Sequence, residues 1–291
     1  MYKIIKKEIL APNIYLMDVV APRIAASALP GQFLIVRIDA EGERIPLTIC
    51  DYDTQQGTVT IVFQTVGAET YRMALLNEGD SFADIVGPLG NPSDLTLLPL
   101  DELRSKKLLF IAGGVGTAPV YAQLKWLKSK GVTADCIQGA RSENILILLD
   151  EMAAVSNLYI STDDGSRGIN GNVCAALQKL YDEGKRYDSV IVIGPMIMMK
   201  FVCQLTKKLE IPTVVSMNTI MVDGTGMCGA CRLMVGGKVK FACVDGPEFD
   251  GHLVDFDQAM QRTKLYKTEE GRALLKFREG DTHEGGCGHC K

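Results

Sequence analysis

The chain has 291 residues, 47% of them hydrophobic and 23% charged, with a net charge of −4. That is enough for two compact domains and a small appendage, and the mild acidity argues against nucleic acid or an anionic membrane as a partner. No run approaches the roughly 18 uninterrupted apolar residues of a membrane span, nor does "MYKIIKKEILAPNIYLMDVV" carry a signal-like apolar core. A cytoplasmic protein is expected.

Residues 1–100 read as β structure. Runs such as "QFLIVRID", "GTVTIVFQTVG" and "DSFADIVGPLG" are separated by Gly, Pro, Asp and Asn, with a short helical pattern in "AETYRMALLNEG". Many short strands predict an antiparallel barrel. "GPLGNPSDLTLLPLDELRSKK" links it to residues 101–217, where the rhythm changes. There "KLLFIAGG", "TADCIQGA", "NLYISTDD", "YDSVIVIGP" and "IPTVVSMN" alternate with helical patterns such as "APVYAQLKWLKSKG" and "MIMMKFVCQLTKKLE". Strand and helix in alternation predict a doubly wound α/β domain with a parallel sheet. Residues 218–262 form a Gly- and Cys-rich region, and residues 263–291 a polar tail.

Nine cysteines in a chain without an export signal point away from disulfides. Cys50, Cys136, Cys174 and Cys203 stand alone in apolar contexts and read as core filler. The tail groups Cys287 and Cys290 with His283 and His289, a chelating set or an incidental one at a chain end.

The second domain opens on "LLFIAGGVGTAPVYAQL". A buried strand ends in Gly113, Gly114 and Gly116; Thr117, Ala118 and Pro119 then begin a helix. Glycines let a backbone approach a pyrophosphate, and the helix N-terminus offers unpaired N–H groups. A tight turn without a ligand is the competing reading. The other strand ends supply Arg141, Asp164 with Gly165, and Gly194 with Pro195 and Met198, the place where ligands of open α/β sheets bind. Arg141 suits an adenosine ribose, a 2′-phosphate or plain solvent. No acidic residue ends the second strand, so NAD(H) against NADP(H) stays open on these residues.

"RIPLTICD" (44–51) followed by this nucleotide loop resembles the ferredoxin-NADP reductase superfamily, in which an Arg-x-x-Ser/Thr motif on a flavin-binding barrel precedes a nicotinamide domain. The resemblance implies that Arg44 meets the flavin diphosphate and that Thr48, the catalytic candidate, lies by N5 of an FAD, with Pro46 and Leu47 between them. The spacing here is one residue longer than the family's shortest form. "VFQTVGAET" resembles the second flavin segment, which implies Phe63, Gln64 and Thr65 near the ribityl and adenine side and Gly67 and Thr70 near the phosphates.

Past the nicotinamide domain stands Asp223-x4-Cys228-x2-Cys231-x11-Cys243. Three cysteines are spaced for an iron–sulfur cluster, which takes four ligands, and Asp223 occupies the fourth place. Gly224, Gly226 and Gly229 make the loop supple enough to wrap a cluster. A zinc knuckle using Asp223 or His252 and an empty site are the alternatives. Nearly the whole chain resembles a narrower group containing the electron-transfer subunit of dihydroorotate dehydrogenase and the small subunit of NADH-dependent reduced ferredoxin:NADP oxidoreductase. Both place a [2Fe–2S] cluster there, and Asp at the first position is a feature of the second. A carboxylate carries the same single charge as a thiolate but is a harder, less covalent ligand.

NAD(P)H, FAD and a one-electron cluster imply an electron-transfer subunit of a flavin and iron–sulfur oxidoreductase, since flavin handles electrons singly or in pairs. The resemblance implies a larger flavin/[4Fe–4S] partner subunit, ferredoxin reached indirectly through it, and electron bifurcation. Alternatives are the dihydroorotate dehydrogenase subunit, a sulfide dehydrogenase-type subunit, and a redox sensor that binds cofactors without turnover.

Overall fold

The computed structural model describes residues 2–279. Strands β1 (Tyr2–Ala11), β2 (Ile14–Val20), β3 (Phe33–Arg37), β4 (Ile45–Asp53), β5 (Thr58–Gln64), β6 (Ser81–Phe82) and β7 (Asp84–Leu89) pair antiparallel in the order β6-β1-β2-β5-β4-β3-β7. The ends of that order, β6 and β7, are separated in sequence only by Ala83, whose N–H lies 3.1 and 3.0 Å from the carbonyls of Arg37 and Ile38. The sheet therefore curls nearly shut. Helix α1 (Pro22–Ala25) follows β2, and α2 (Ala68–Leu75) follows β5.

Alternation along the strands decides what faces inward. Ile45, Leu47 and Ile49 of β4 join Met17, Leu34, Val59, Ile61 and Phe63 in the barrel core. By the same period, Pro46 and Thr48 share the outward face. Phe33 and Ile35, their cross-strand partners on β3, belong to a different core, shared with the second domain and the cluster region.

After α3 (Leu100–Ser105) the chain builds β8 (Leu108–Gly113), α4 (Thr117–Ser129), β9 (Ala134–Ala140), α5 (Leu149–Val155), β10 (Ser156–Thr162), β11 (Ile169–Asn170), α6 (Val173–Asp182), β12 (Ser189–Ile193), α7 (Met196–Lys208) and β13 (Thr213–Ser216). Every residue of β8 is buried, as a central strand covered by helices on both faces requires. The last segments are the hairpin β14 (Arg232–Val235) and β15 (Lys238–Phe241), then β16 (Glu248–Asp250), α8 (Phe256–Arg262) and α9 (Lys267–Glu279). The second sheet runs β11-β10-β9-β8-β12-β13-β16, parallel except for β16. The order reverses between β8 and β12, which opens a crevice at their carboxyl ends.

Three joints hold the parts together. Ala11, Ile14, Leu16, Cys50 and Val62 of the barrel share one core with Phe110, Val120, Leu124 and Leu127 of the second domain. Each fully buried Leu or Ile there contributes about 2 kcal/mol. Lys125 of α4 meets Asp51 of β4 at 2.5 Å. From the cluster region, β16 pairs with β13, and the Asn91 N–H donates to the Gly246 carbonyl at 2.7 Å.

The isolated cysteines divide. Cys50, Cys136 and Cys203 are buried and Cys174 is half-buried. Burial pushes the Cys203 thiol up to about 12, so it stays an inert thiol at neutral pH. Residues Cys287, Cys290, His283 and His289 lie outside the described residues.

Candidate functional site

The predicted nucleotide loop sits at the reversal point of the sheet. Gly113 ends β8, a single 3-10 turn covers Gly114–Gly116, and α4 begins at Thr117. A Cβ on Gly116 would strike the Ile193 carbonyl, and one on Gly194 would lie 2.6 Å from Met198 Cε. A Cβ on Gly113 would lie 3.2 Å from Pro195 Cδ and would also meet the Met198 sulfur. These glycines draw the β8–α4 and β12–α7 turns together, so Gly194, Pro195 and Met198 stand beside the loop. Gly114 has φ +56 and open space where a Cβ would be. Ala118 and Pro119 are buried in the first turn of α4, where the missing N–H of proline costs nothing.

Two hydroxyls, one opening α4 and one near the end of β10, are without partners. Thr117 Oγ1 and Ser161 Oγ are buried and unbonded among the described residues. Such atoms carry a desolvation cost that a polar ligand would relieve. With the glycine turn that leads into the N-terminus of α4, the residues present fit a nucleotide phosphate. Arg141 is exposed. Asp164 is turned into its own loop: Oδ1 accepts from the Ser166 N–H at 2.9 Å and hydroxyl at 2.6 Å, which holds the carboxyl below its usual range. The Ser166 hydroxyl in turn accepts from the Glu143 N–H at 2.8 Å, lacing together the loops that hold Arg141 and Gly165.

On the barrel, Thr48 is half-buried on the outward face of β4, and its hydroxyl bonds to no described residue. Leu47 and Phe63 point into the barrel, Phe63 stacked on Tyr15 with ring centroids 5.6 Å apart. What those two offer a ligand is backbone. Gln64 is exposed, and Thr65 is buried beside Tyr71. The Thr70 hydroxyl accepts from the N–H groups of Val66 and Gly67 at 2.9 and 3.0 Å, fixing the turn into α2. Open space lies over Gly67. A helix N-terminus and an open approach over Gly67 fit a dinucleotide cofactor laid across the barrel.

Arg44 stands just before β4, four residues ahead of Thr48. In an extended strand that spacing puts both side chains on one face, whereas a three-residue spacing would oppose them. Its guanidinium reaches the cluster loop: Nε donates to the Val222 carbonyl at 2.9 Å and Nη2 to the Asp223 carbonyl at 3.3 Å. Nη1 faces Asp84 at 3.8 Å.

Of the four predicted ligands, Asp223, Cys228 and Cys231 lie on the loop before β14 and Cys243 lies just after β15. Cys231 and Cys243, both buried, have sulfurs 3.3 Å apart. Exposed Cys228 lies beside the backbone of Asp223; N–H groups of Ala230, Asp223 and Val222 hold its thiol below the usual range. Burial, then the neighbouring Cys231, pushes Cys243 up to about 12. Oδ2 of Asp223 accepts from the Thr225 hydroxyl and from the N–H groups of Thr225 and Met227, at 2.8 and 3.3 Å for the latter two. These bonds hold its carboxyl ionised to lower pH, and Oδ1 is unbonded among the described residues. Among the described residues, no three His, Cys, Asp or Glu side chains converge closely enough for a single metal ion. A two-iron group takes four ligands, and the donor set of three sulfurs and one carboxylate fits it. His252 is turned elsewhere, 3.0 Å from the Thr206 hydroxyl.

Gly224, Gly226 and Gly229 have φ of +84, +90 and +65, a conformation that other residues adopt at a cost of about 1–2 kcal/mol. Two further loop anchors escaped the sequence reading. Arg232 donates to the Gly229 carbonyl at 3.1 Å and Arg262 to that of Ala230 at 3.2 Å. Thr225, two residues after Asp223, was legible as a local turn partner; the arginines left no local signal.

Residues 110–204 match the oxidoreductase NAD-binding domain family, and residues 218–255 the iron-sulfur cluster binding domain of dihydroorotate dehydrogenase B. A Thermotoga maritima protein, named as a homolog of the electron transfer subunit of dihydroorotate dehydrogenase B (NAD(+)), is 42% identical over 275 residues, 94% of this chain and 95% of its own length. This chain belongs to that family. A Clostridium beijerinckii protein named only as uncharacterised, in the adh 3′ region, is 58% identical over 99% of this chain and 98% of its own. A solved structure of the NADH-dependent reduced ferredoxin-NADP oxidoreductase superposes with a TM-score of 0.86 at 39% identity, covering 96% of this chain and 98% of that one. Phthalate dioxygenase reductase shares the fold, with a TM-score of 0.55 at 18% identity. The protein is thus an oxidoreductase subunit of the ferredoxin reductase type, which transfers electrons using NAD(H), FAD and an iron–sulfur cluster. Its relatives are electron-transfer subunits of larger complexes. No helix among the described residues is long and apolar enough to cross a membrane.

Proposed function

We propose that this subunit passes electrons between NAD(H) and a larger flavin/[4Fe–4S] partner in ferredoxin:NAD(P) electron bifurcation, with ferredoxin met by the partner. The observation that carries the reading is the ligand set Asp223, Cys228, Cys231 and Cys243, with the Cys231 and Cys243 sulfurs 3.3 Å apart and the backbone of Asp223 held against the barrel. Asp at the first ligand position and the 39%-identical structure of the reduced ferredoxin-NADP oxidoreductase favour it over the dihydroorotate reading. The 42%-identical Thermotoga relative carries the dihydroorotate name, which keeps that reading as the second.

In this reading Thr117, Ser161 and the turn at Gly113–Gly116 bind the nicotinamide dinucleotide, with Arg141, Gly165 and Met198 around it. Thr48 offers its hydroxyl to the flavin ring beside the proposed N5, and Pro46, Gln64, Thr65 and Gly67 line the barrel side. A bound flavin would convert the hydride pair of NADH into single electrons for a [2Fe–2S] centre. The chain's own contribution is to orient: β4 holds Thr48, and the shared core fixes barrel and nucleotide domain in one relation. Exposed Cys228, flanked by Met227 at 88% exposure, puts the cluster edge at the surface, where a partner can reach it.

Anaerobic mixing tests this. NADH should bleach the flavin and raise the EPR signal of a reduced [2Fe–2S] centre, with about two irons per chain. Faster bleaching by NADPH would overturn the NAD(H) assignment, and zinc in place of iron the cluster itself. Co-purification decides the partner: a chain that oxidises dihydroorotate would replace bifurcation with the second reading.

A further inference from the structure

The family resemblance puts Arg44 on the flavin diphosphate, yet its side chain lies on the cluster loop. Two of its donors hold the carbonyls of Val222 and Asp223, 178 and 179 residues away in sequence. The next residue, Gly224, is pressed so closely on the barrel that a Cβ there would lie 2.6 Å from Ile35 Cδ1 and 2.9 Å from Leu89 Cδ1. The first ligand of the cluster is therefore clamped to the barrel on both sides of its backbone, by Arg44 ahead of β4 and by Ile35 and Leu89 of β3 and β7. Arg232 and Arg262 likewise donate to loop carbonyls, those of Gly229 and Ala230. A guanidinium bonded to carbonyls keeps its charge. For Arg44 the nearest carboxylate is Asp84 at 3.8 Å, with side chains 31% and 38% exposed, so solvent weakens that pairing.

A cluster held by one carboxylate and three thiolates is an anion, and reduction adds a further negative charge. A fixed cation beside it favours the reduced form. We propose that Arg44 is a positioning residue of the cluster, clamping the Val222–Asp223 backbone to the barrel and raising the cluster's reduction potential. This rests on the cluster assignment above. It also gives the longer Arg-to-Thr spacing a purpose: at four residues, Arg44 shares the outward face with Thr48 and reaches the loop from there.

The test compares wild type, R44Q and R44K by FAD content, iron content and EPR-monitored redox titration. Wild-type protein without a cluster signal refutes the cluster assignment itself, independently of Arg44. Given a cluster, R44Q should keep its FAD and irons while the midpoint potential moves negative, and R44K should restore most of the potential. An R44Q protein that loses FAD but keeps the wild-type potential and g-values returns the guanidinium to the flavin diphosphate and overturns the proposal. So does one unchanged in every respect. Should R44Q fail to assemble, D84N leaves Arg44 in place and removes its counter-charge. The potential should then move positive, and an unmoved potential would overturn the proposal.

Discussion

The nucleotide turn after β8 and the cluster loop after β13 are both rich in glycine, but they are held in different ways. The first is built by its neighbours in sequence: a buried strand, a helix and glycines that admit the β12–α7 turn. Its ligand groups are backbone N–H and hydroxyls on rigid elements. The second has little regular structure and takes its shape from outside, from Arg44 on the barrel, Arg262 on α8 and the Thr225–Asp223 turn. A site on a scaffold keeps its form when empty. A site tied by side chains depends on what fills it.

The sharpest way to break that contrast is to remove the filling. Cys243→Ser takes away a buried ligand of the Cys231 pair, and the expected result is loss of nearly all iron and of the EPR signal. Hydrogen exchange should then rise through residues 218–231 and stay as in wild type through β8–β13. Equal loosening of both regions would show that the nucleotide domain leans on the cluster.

A smaller effect is expected in the nucleotide turn. Gly116→Ala pushes a Cβ into the Ile193 carbonyl, backbone that cannot give way, and should cost about 2–3 kcal/mol in thermal or urea unfolding. Gly114→Ala, with open space but φ +56, should cost about 1 kcal/mol. Equal costs would mean that conformation rather than packing sets the turn.

The mildest effect concerns the joint between the two regions. Glu248 of β16 is pushed up to about 7 by burial, against hydrogen bonds from Ser93 and Gln123. An acid whose folded pKa is raised stays protonated in the fold while the unfolded chain ionises. Stability therefore falls as pH rises from about 4.5 to 7 and levels off above. Glu248→Gln should remove that slope, so that the variant gains on wild type as pH rises from about 4.5 to 7 and keeps that gain above. A slope that survives the substitution would place the titrating group elsewhere.

Most of the architecture was legible because its signals are local. "LLFIAGG" reads as a buried strand from its unbroken apolar run, and α4, α6 and α7 show helical spacing between Gly and Pro boundaries. Short elements without periodicity were not: β16, three residues long, is a strand only because β13 offers it an edge, and α9 and the β14–β15 hairpin lie in stretches that read as loop and tail. In the site, Cys228, Cys231 and Cys243 stood out by spacing, and Asp223 by the resemblance to a family that carries Asp at that place. Leu47 and Phe63 are drawn into the barrel core by alternation, which a motif match does not weigh. The hold of Arg44 on Val222 spans too much sequence for any local pattern to show.

The pairing of β16 with β13 bears on how this family could be re-engineered. A cluster module cut away before Glu248 would leave β13 as a bare strand edge, ready to pair with another chain. A cassette transplanted onto a different reductase would likewise arrive seeking an edge to complete. Successful grafts should therefore carry the cut upstream of β13, exchanging the outermost strand together with the metal-binding segment that seals it.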